Sequence, residues 1–130
     1  MSDKQTIHVP GLKAIGPYSQ AVRAQGLLFV SGQPGVDPAT GEAVGADFGT
    51  QARQAFRNLE AVLTAGSSRL DLVVNTTALV SDAANFPEVN RLFGEYFPEN
   101  PPARMTMQVP LPKGLLFSIG CVAVVEGSDS

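Results

Sequence analysis

Arg104 is the residue of this chain whose type and position most directly suggest chemistry. It follows Pro101 and Pro102, which end a helical pattern, and a strand-like run continues from it to Val109. Successive side chains of a strand point to opposite faces, so Arg104 lies on the face opposite Met105. A guanidinium beside a core-like strand is costly to bury without an anionic partner, and no acidic residue adjoins it in the sequence.

Two kinds of partner for Arg104 fit this position. A ligand carboxylate would be gripped through two parallel hydrogen bonds, which the planar guanidinium favours. An acidic residue elsewhere in the fold would form a structural ion pair instead. The segment alone leaves both open, and it predicts that Met105 and Met107 belong to the core.

Gly120 is the second position with a possible chemical meaning. If the last turn centres near Pro112, antiparallel pairing of the flanking strands places Arg104 opposite Gly120. The missing side chain would then leave a gap beside the guanidinium that accepts a ligand. The alternative is that Gly120 marks a bulge or a close backbone approach.

Few other residues are candidates for catalysis. Tyr18 follows Gly16 and Pro17 at a turn, so its hydroxyl either faces a cleft or is simply partly exposed. His8, the single histidine, is interpreted as structural, and Cys121 as a small hydrophobic residue in an apolar strand. Phosphate loops, zinc-type clusters and nucleophile elbows are absent from the sequence, so no metal or cofactor is expected.

Composition indicates one globular domain over residues 1–130, with 44% hydrophobic and 16% charged residues. The net charge of −3 and the scattered nine basic residues argue against a nucleic-acid partner. One cysteine suits a reducing compartment. The first residues lack an apolar signal core and no stretch approaches a membrane span, so we expect a cytoplasmic protein without membrane contact.

The predicted elements follow the order β-β-β-α-β-α-β-β. Asp47 is expected to cap the first helix, and Gly66 to end it in the left-handed conformation. The second helix begins near Asn85, which has capping-box spacing to Glu88. Such an order favours an α+β fold with a mixed sheet and both helices on one face. Another subunit is expected to cover the other face, as in a trimer or other ring.

Taken together, several segments of the chain resemble the RidA (YjgF) family of reactive enamine/imine deaminases. They are residues 14–22, 30–33, 37–42, 51–59, 100–104 and 111–114. The resemblance covers nearly the whole chain. It implies the chorismate mutase-like α+β fold, assembled as a homotrimer with clefts between subunits.

The resemblance also implies roles for individual residues. Arg104 matches an arginine that binds the substrate carboxylate, and Tyr18 a tyrosine that lines the cleft. The residues that match positions bordering the ligand or the cleft are Ser31, Gly32, Asn90 and Thr106. Gly120 stands where many deaminating members carry a glutamate that helps to place or activate water.

The resulting hypothesis is hydrolysis of 2-aminoacrylate-type enamines, or their imine tautomers, to 2-oxo acids and ammonia. The alternative is a non-catalytic binder or sensor of small 2-oxo or imino acids, which Gly120 favours. A third hypothesis, an endoribonuclease, is disfavoured by the acidic balance of the chain.

Overall fold

The computed structural model describes residues 4–12, 14 and 16–127. The six strands are β1 (Gln5–Ile7), β2 (Ala21–Ala24), β3 (Leu27–Pro34), β4 (Val73–Val80), β5 (Ala103–Gln108) and β6 (Phe117–Val124). The two helices are α1 (Phe48–Ala65) and α2 (Phe86–Tyr96). Short 3-10 turns, Leu70–Leu72 and Ala83–Asn85, precede β4 and α2. The predicted element order is therefore confirmed.

The strands form one mixed sheet in the order β1-β2-β3-β6-β4-β5. All neighbouring pairs are antiparallel except β4 and β5, which run parallel. Parallel neighbours need a crossover connection, and α2 supplies it between these two strands. Consequently β5 forms one edge of the sheet, with β4 as its only strand neighbour among the described residues.

Both helices pack on one face of the sheet, as the sequence predicts. Phe56 of α1 is fully buried and stacks on Tyr96 of α2, with ring centroids 4.1 Å apart. Phe56 also stacks on Phe117 of β6, with ring centroids 5.9 Å apart. These aromatic contacts join the two helices to the middle of the sheet.

The ends of α1 differ in part from expectation. Asp47 caps the helix as predicted, accepting a hydrogen bond of 3.0 Å from the Thr50 amide. Gly66 is not left-handed, since its φ is −92°, and Ser67 takes positive φ instead. A glycine is needed at 66 for a different reason, because a Cβ there would lie 2.5 Å from a methyl carbon of Leu28.

The predicted capping box of α2 is also wrong. Asn85 makes no side-chain hydrogen bond to the helix. The preceding 3-10 turn is capped instead by Asp82, whose carboxylate accepts a hydrogen bond of 2.9 Å from the Ala84 amide. Glu88 pairs with Arg91 on the helix surface rather than turning back to the helix start.

The face of the sheet that carries no helix, hereafter the open face, is partly apolar. Phe29, Met105 and Met107 point from it with 45%, 57% and 39% of their surface exposed. The prediction that the two methionines are core is therefore wrong for the single chain. They lie on an edge strand and on the side that neither helix covers.

Candidate functional site

Arg104 lies on the helix side of β5 and is held by two residues of α2. Its Nη2 donates a hydrogen bond of 2.7 Å to the Asn90 side-chain oxygen. Its Cζ lies 4.8 Å from the centre of the Phe93 ring, which is within cation–π range. Asn90 and Phe93 are three residues apart, so they lie on the same side of the helix.

Arg104 has no acidic partner in the part of the chain that the structure describes. The ion pairs there involve Arg53, Arg69 and Arg91. A structural ion pair, the second alternative considered for Arg104, is thus not formed within the described residues. The exposed guanidinium keeps its charge free for an anion from outside.

The contact with Asn90 still leaves a complete binding edge on Arg104. A guanidinium has five N–H donors. A carboxylate can bind it along either of two edges, Nε with Nη2 or Nη1 with Nη2, and each edge uses a different Nη2 proton. Asn90 takes one of the two Nη2 protons. One edge therefore keeps two parallel donors, which is the geometry that a carboxylate requires.

Thr106 lies two residues beyond Arg104 on the same side of β5, next to buried Ala78 of β4. Its Oγ1 is buried and has no hydrogen-bond partner among the described residues. The edge of the sheet thus brings Asn90 of α2 together with Arg104 and Thr106 of β5. We call these three residues the arginine half-site.

A second group of expected site residues surrounds an irregularity between β3 and β6. Val30 pairs with Cys121 and Gln33 with Ile119, so Ser31 and Gly32 together oppose Gly120. This arrangement is a β-bulge, which places an extra residue on one strand. A Cβ at Gly120 would lie 3.2 Å from the Val30 carbonyl oxygen. The interpretation of Gly120 as a close backbone approach is therefore correct.

The predicted pairing of Arg104 with Gly120 is wrong. Thr76 of β4 has Arg104 as its neighbour on one side and Cys121 on the other, while Gly120 is next to Thr77. Directly paired residues share a face and consecutive ones alternate, so Arg104 and Gly120 belong to opposite faces. The strands are also not adjacent, because β4 lies between β5 and β6.

Ser31 and Tyr18 belong to the same region as the bulge. The Ser31 hydroxyl donates a hydrogen bond of 2.6 Å to the Ser19 carbonyl oxygen, which fixes the loop before β2. Tyr18 is 43% exposed and lines a small cavity together with Gly32. We call Tyr18, Ser31, Gly32 and Gly120 the glycine half-site.

The two half-sites are too far apart to bind one small ligand within one chain. Two strands, β6 and β4, separate β3 from β5. With neighbouring strands about 4.8 Å apart, β3 and β5 are about 14 Å from each other. A three- or four-carbon acid spans less than half of that distance.

A depression of about 390 Å³ on the open face adjoins the glycine half-site. Gly32 and Gly120 line it together with Ser118 and the apolar residues Phe29 and Val122. Ser118 was not among the expected site residues. Its position two residues before Gly120 on an alternating strand was the available signal, because it places both on one face.

Phe93 is a second contact that the sequence interpretation missed. It is 7% exposed and does belong to the core, yet the guanidinium of Arg104 lies over its ring. One helical turn separates it from Asn90, a residue already expected near the site. That spacing was sufficient to suggest the contact.

Cys121 and His8 lie apart from this chemistry. Burial raises the pKa of the Cys121 thiol to about 12, so the side chain stays protonated and packs as a small hydrophobic group, as predicted. His8 is exposed just after β1. Over the described residues, neither helix is long and apolar enough to cross a membrane.

Comparison with known proteins assigns this chain to a family. The family model described as Endoribonuclease L-PSP matches residues 9–125. The 2-iminobutanoate/2-iminopropanoate deaminase of Homo sapiens is 42% identical over 120 residues, covering 92% of this chain and 86% of that protein. The chloroplastic Reactive Intermediate Deaminase A of Arabidopsis thaliana is 40% identical over 113 residues, covering 86% of this chain and 60% of that protein.

Solved structures agree with the sequence comparisons. The crystal structure of RidA from the Antarctic bacterium Psychrobacter sp. PAMC 21119 matches with a TM-score of 0.87 at 36% identity. The match covers 93% of this chain and 99% of that chain. Both the α+β fold and the resemblance stated from the sequence are thereby confirmed.

Proposed function

Because this chain belongs to the Endoribonuclease L-PSP family, which includes the RidA proteins, we propose that it hydrolyses reactive imines of 2-aminoacrylate type. The products would be 2-oxo acids and ammonia. Relatives at 40% to 42% identity bear the names of 2-iminobutanoate/2-iminopropanoate and reactive-intermediate deaminases. Such imines carry a carboxylate next to the reacting carbon.

The observation that carries the proposal is the free binding edge of Arg104. An exposed guanidinium, held by Asn90 and Phe93 and without an acidic partner among the described residues, suits a carboxylate that arrives from outside. Charge-assisted, two-pronged hydrogen bonds to Arg104 would fix the substrate's orientation. Thr106, with its buried and unpartnered hydroxyl oxygen, would border the same ligand.

The proposed reaction requires the protein mainly to position the imine and a water molecule. Imines of this type already react with water, so holding the carbon in the path of a water molecule speeds the reaction without a nucleophile or a cofactor. Stabilising the charge that develops during attack adds to the effect. In this proposal Arg104 holds the carboxylate, the backbone of Ser31 and Gly32 orients the water, and Tyr18 contacts the departing nitrogen.

We further propose that the site forms between subunits of a homotrimer. The half-sites of one chain are about 14 Å apart, so a substrate can touch both only if a neighbouring copy contributes one of them. The exposed Phe29, Met105 and Met107 give the open face the apolar character of a subunit interface. A ring of three copies would pair each arginine half-site with the glycine half-site of a neighbour.

A non-catalytic sensor of 2-oxo or imino acids is the second candidate, and Gly120 is the observation that favours it. The glycine half-site contains no carboxylate, so it lacks an acid or base of the usual strength for activating water. Binding through Arg104 alone would be sufficient for a sensor.

One experiment separates these two functions. An amino-acid oxidase generates 2-iminobutanoate in situ, and semicarbazide traps whatever imine remains while the protein concentration is varied. An enzyme lowers the yield of trapped imine in proportion to its concentration, and Arg104→Ala abolishes the effect. An unchanged yield alongside measurable binding of 2-oxobutanoate by calorimetry would identify a sensor and reject the deaminase.

A further inference from the structure

We propose that the hydroxyl of Ser118 carries the proton from the attacking water to the leaving nitrogen. This inference rests on the proposed deaminase function and adds a residue to the glycine half-site. It starts from the Ser118 hydroxyl, which makes no hydrogen bond among the described residues. Ser118 lies on β6, on the open face, two residues from Gly120 and within the depression that both residues line.

The Ser118 hydroxyl lies against Gly32 and is free to bond. A Cβ built on Gly32 would be 3.1 Å from the Ser118 Oγ, so the absence of a side chain at 32 is what leaves this oxygen uncovered. No hydrogen bond involves that Oγ within residues 4–12, 14 and 16–127. Ser118 is half-buried, so a ligand or a water molecule can reach the hydroxyl.

The other members of the glycine half-site are less suited to moving a proton. The hydroxyl proton of Ser31 is already donated to the Ser19 carbonyl. Gly32 and Gly120 have no side chains at all. Tyr18 lines a different cavity, on the side of Gly32 that faces Leu12 and Gln33.

The depression that Gly120 and Ser118 line leaves room for the water itself. Ser118 and Gly120 are roughly 7 Å apart along one face of β6, and Gly32 of β3 lies beside both. A water molecule over Gly120 can therefore bond to the Ser118 Oγ while its oxygen points towards the cleft. No ionised group is needed, because a hydroxyl donates and accepts at the same time.

The reaction balances with the hydroxyl as a relay. The water oxygen bonds to the imine carbon while one water proton passes to the Ser118 Oγ and the Ser118 proton passes to the substrate nitrogen. The resulting carbinolamine then passes its hydroxyl proton to the same nitrogen through Ser118. The C–N bond breaks, ammonia leaves, and the carbon becomes the carbonyl of the 2-oxo acid. Ser118 ends as it began, and nothing is oxidised or reduced.

The test compares three variants by the imine-trapping assay. Ser118→Ala should lower kcat about 100-fold, the usual scale of a lost proton-transfer group, with KM unchanged. Ser118→Thr keeps a hydroxyl and should retain most of the rate. The control is Thr64→Val, which removes an exposed hydroxyl of α1 away from the depression and should change kcat less than twofold.

A solvent isotope effect gives a readout that a merely structural role would not change. The wild-type rate in heavy water should fall with a curved proton inventory, since two protons move, and the Ser118→Ala rate should show a single-proton dependence. Wild-type rates in the Ser118→Ala variant would overturn the inference while leaving the deaminase proposal intact. No imine consumption by the wild-type protein would reject the proposed function itself.

Discussion

Arg104 and Gly120 occupy opposite faces of the sheet, on strands that β4 keeps apart. Thr76 and Thr77, consecutive residues of β4, have Arg104 and Gly120 respectively as their neighbours. A ligand bound to Arg104 therefore cannot rest over Gly120 of the same chain. In the proposed assembly, one substrate would touch both half-sites only where two copies of the chain meet.

Subunit mixing tests this consequence directly. Arg104→Ala removes one half-site and Gly32→Val fills the other, so each variant alone should be inactive. If the chain forms the proposed trimer, refolding an equal mixture should combine two intact halves at about a quarter of the interfaces, and about a quarter of the wild-type activity should return.

Each variant refolded by itself is the control for the mixing experiment. A mixture that is no more active than either variant, although both form trimers, would place the whole site within one chain. Native mass spectrometry of the mixture measures the exchange of subunits independently of activity.

Replacing Arg104 by lysine tests the two-pronged contact. Lysine keeps the charge, but its three N–H donors radiate from a single nitrogen, so it cannot present the two parallel donors that a carboxylate binds on arginine. We expect Arg104→Lys to weaken binding of 2-oxobutanoate about 10- to 100-fold in calorimetry. Arg57→Lys is the matched control and should bind normally, since the Arg57 side chain is exposed on α1 and donates its hydrogen bonds to Gln54. Equal affinity in the two variants would contradict the proposed role of Arg104.

The open face should determine the oligomeric state. Met105 is 57% exposed in the single chain and points from the face that lacks helices. Met105→Asp would place a charge in the proposed interface, and we expect a monomer by light scattering. Met105→Leu conserves the volume and should remain trimeric. A trimer formed by the aspartate variant would show that subunits meet elsewhere.

Much of the fold could be predicted from the sequence because its signals are local. The element order and the cap at Asp47 depend on residues within a few positions of one another, and both are confirmed. The pairing of β5 was predicted wrongly because a short turn suggested a hairpin with β6. The stronger signal was β4-α2-β5, a strand-helix-strand unit whose two strands commonly lie side by side and parallel.

The candidate site was harder to predict, since its residues meet through tertiary contacts. The identity of Arg104 indicated a carboxylate, but only the packing of α2 on β5 shows that Asn90 and Phe93 hold it. The role of Met105 depends on whether a helix or another subunit covers its face. No pattern within β5 contains that information.

Two glycines with opposite surroundings provide a test of the core. A Cβ at Gly66 would meet Leu28 side-chain carbons at 2.5 to 3.1 Å, whereas a Cβ at Gly94 of α2 meets nothing within 4 Å. Gly66→Ala should destabilise the protein by about 1–3 kcal/mol through overpacking. Gly94→Ala should stabilise it by about 0.5–1 kcal/mol through helix propensity. Urea unfolding measures both, and equal effects would contradict the packing of α1 against β3.

The Cys121 thiol should make stability fall at high pH. Burial raises its pKa in the folded chain to about 12, whereas the pKa of a thiol exposed in the unfolded chain is about 8.5. Between these values the unfolded chain gives up a proton that the folded chain keeps, so the unfolded state gains stability as pH rises. The contribution of the protonated thiol to the free energy of unfolding is complete below the pKa of the unfolded chain and is lost as the pH rises to the pKa of the folded chain.

Cys121→Ala isolates this effect, because its loss of packing does not depend on pH. The free energy of unfolding of the wild-type protein should fall by up to about 1.4 kcal/mol per pH unit more than that of the variant above pH ~9. Iodoacetamide at pH ~8 should leave the folded protein unmodified and alkylate it in urea, since only the unfolded thiol is accessible and partly ionised. Parallel stability curves for the two proteins, or rapid alkylation of the folded chain, would mean that Cys121 is not buried as the fold places it.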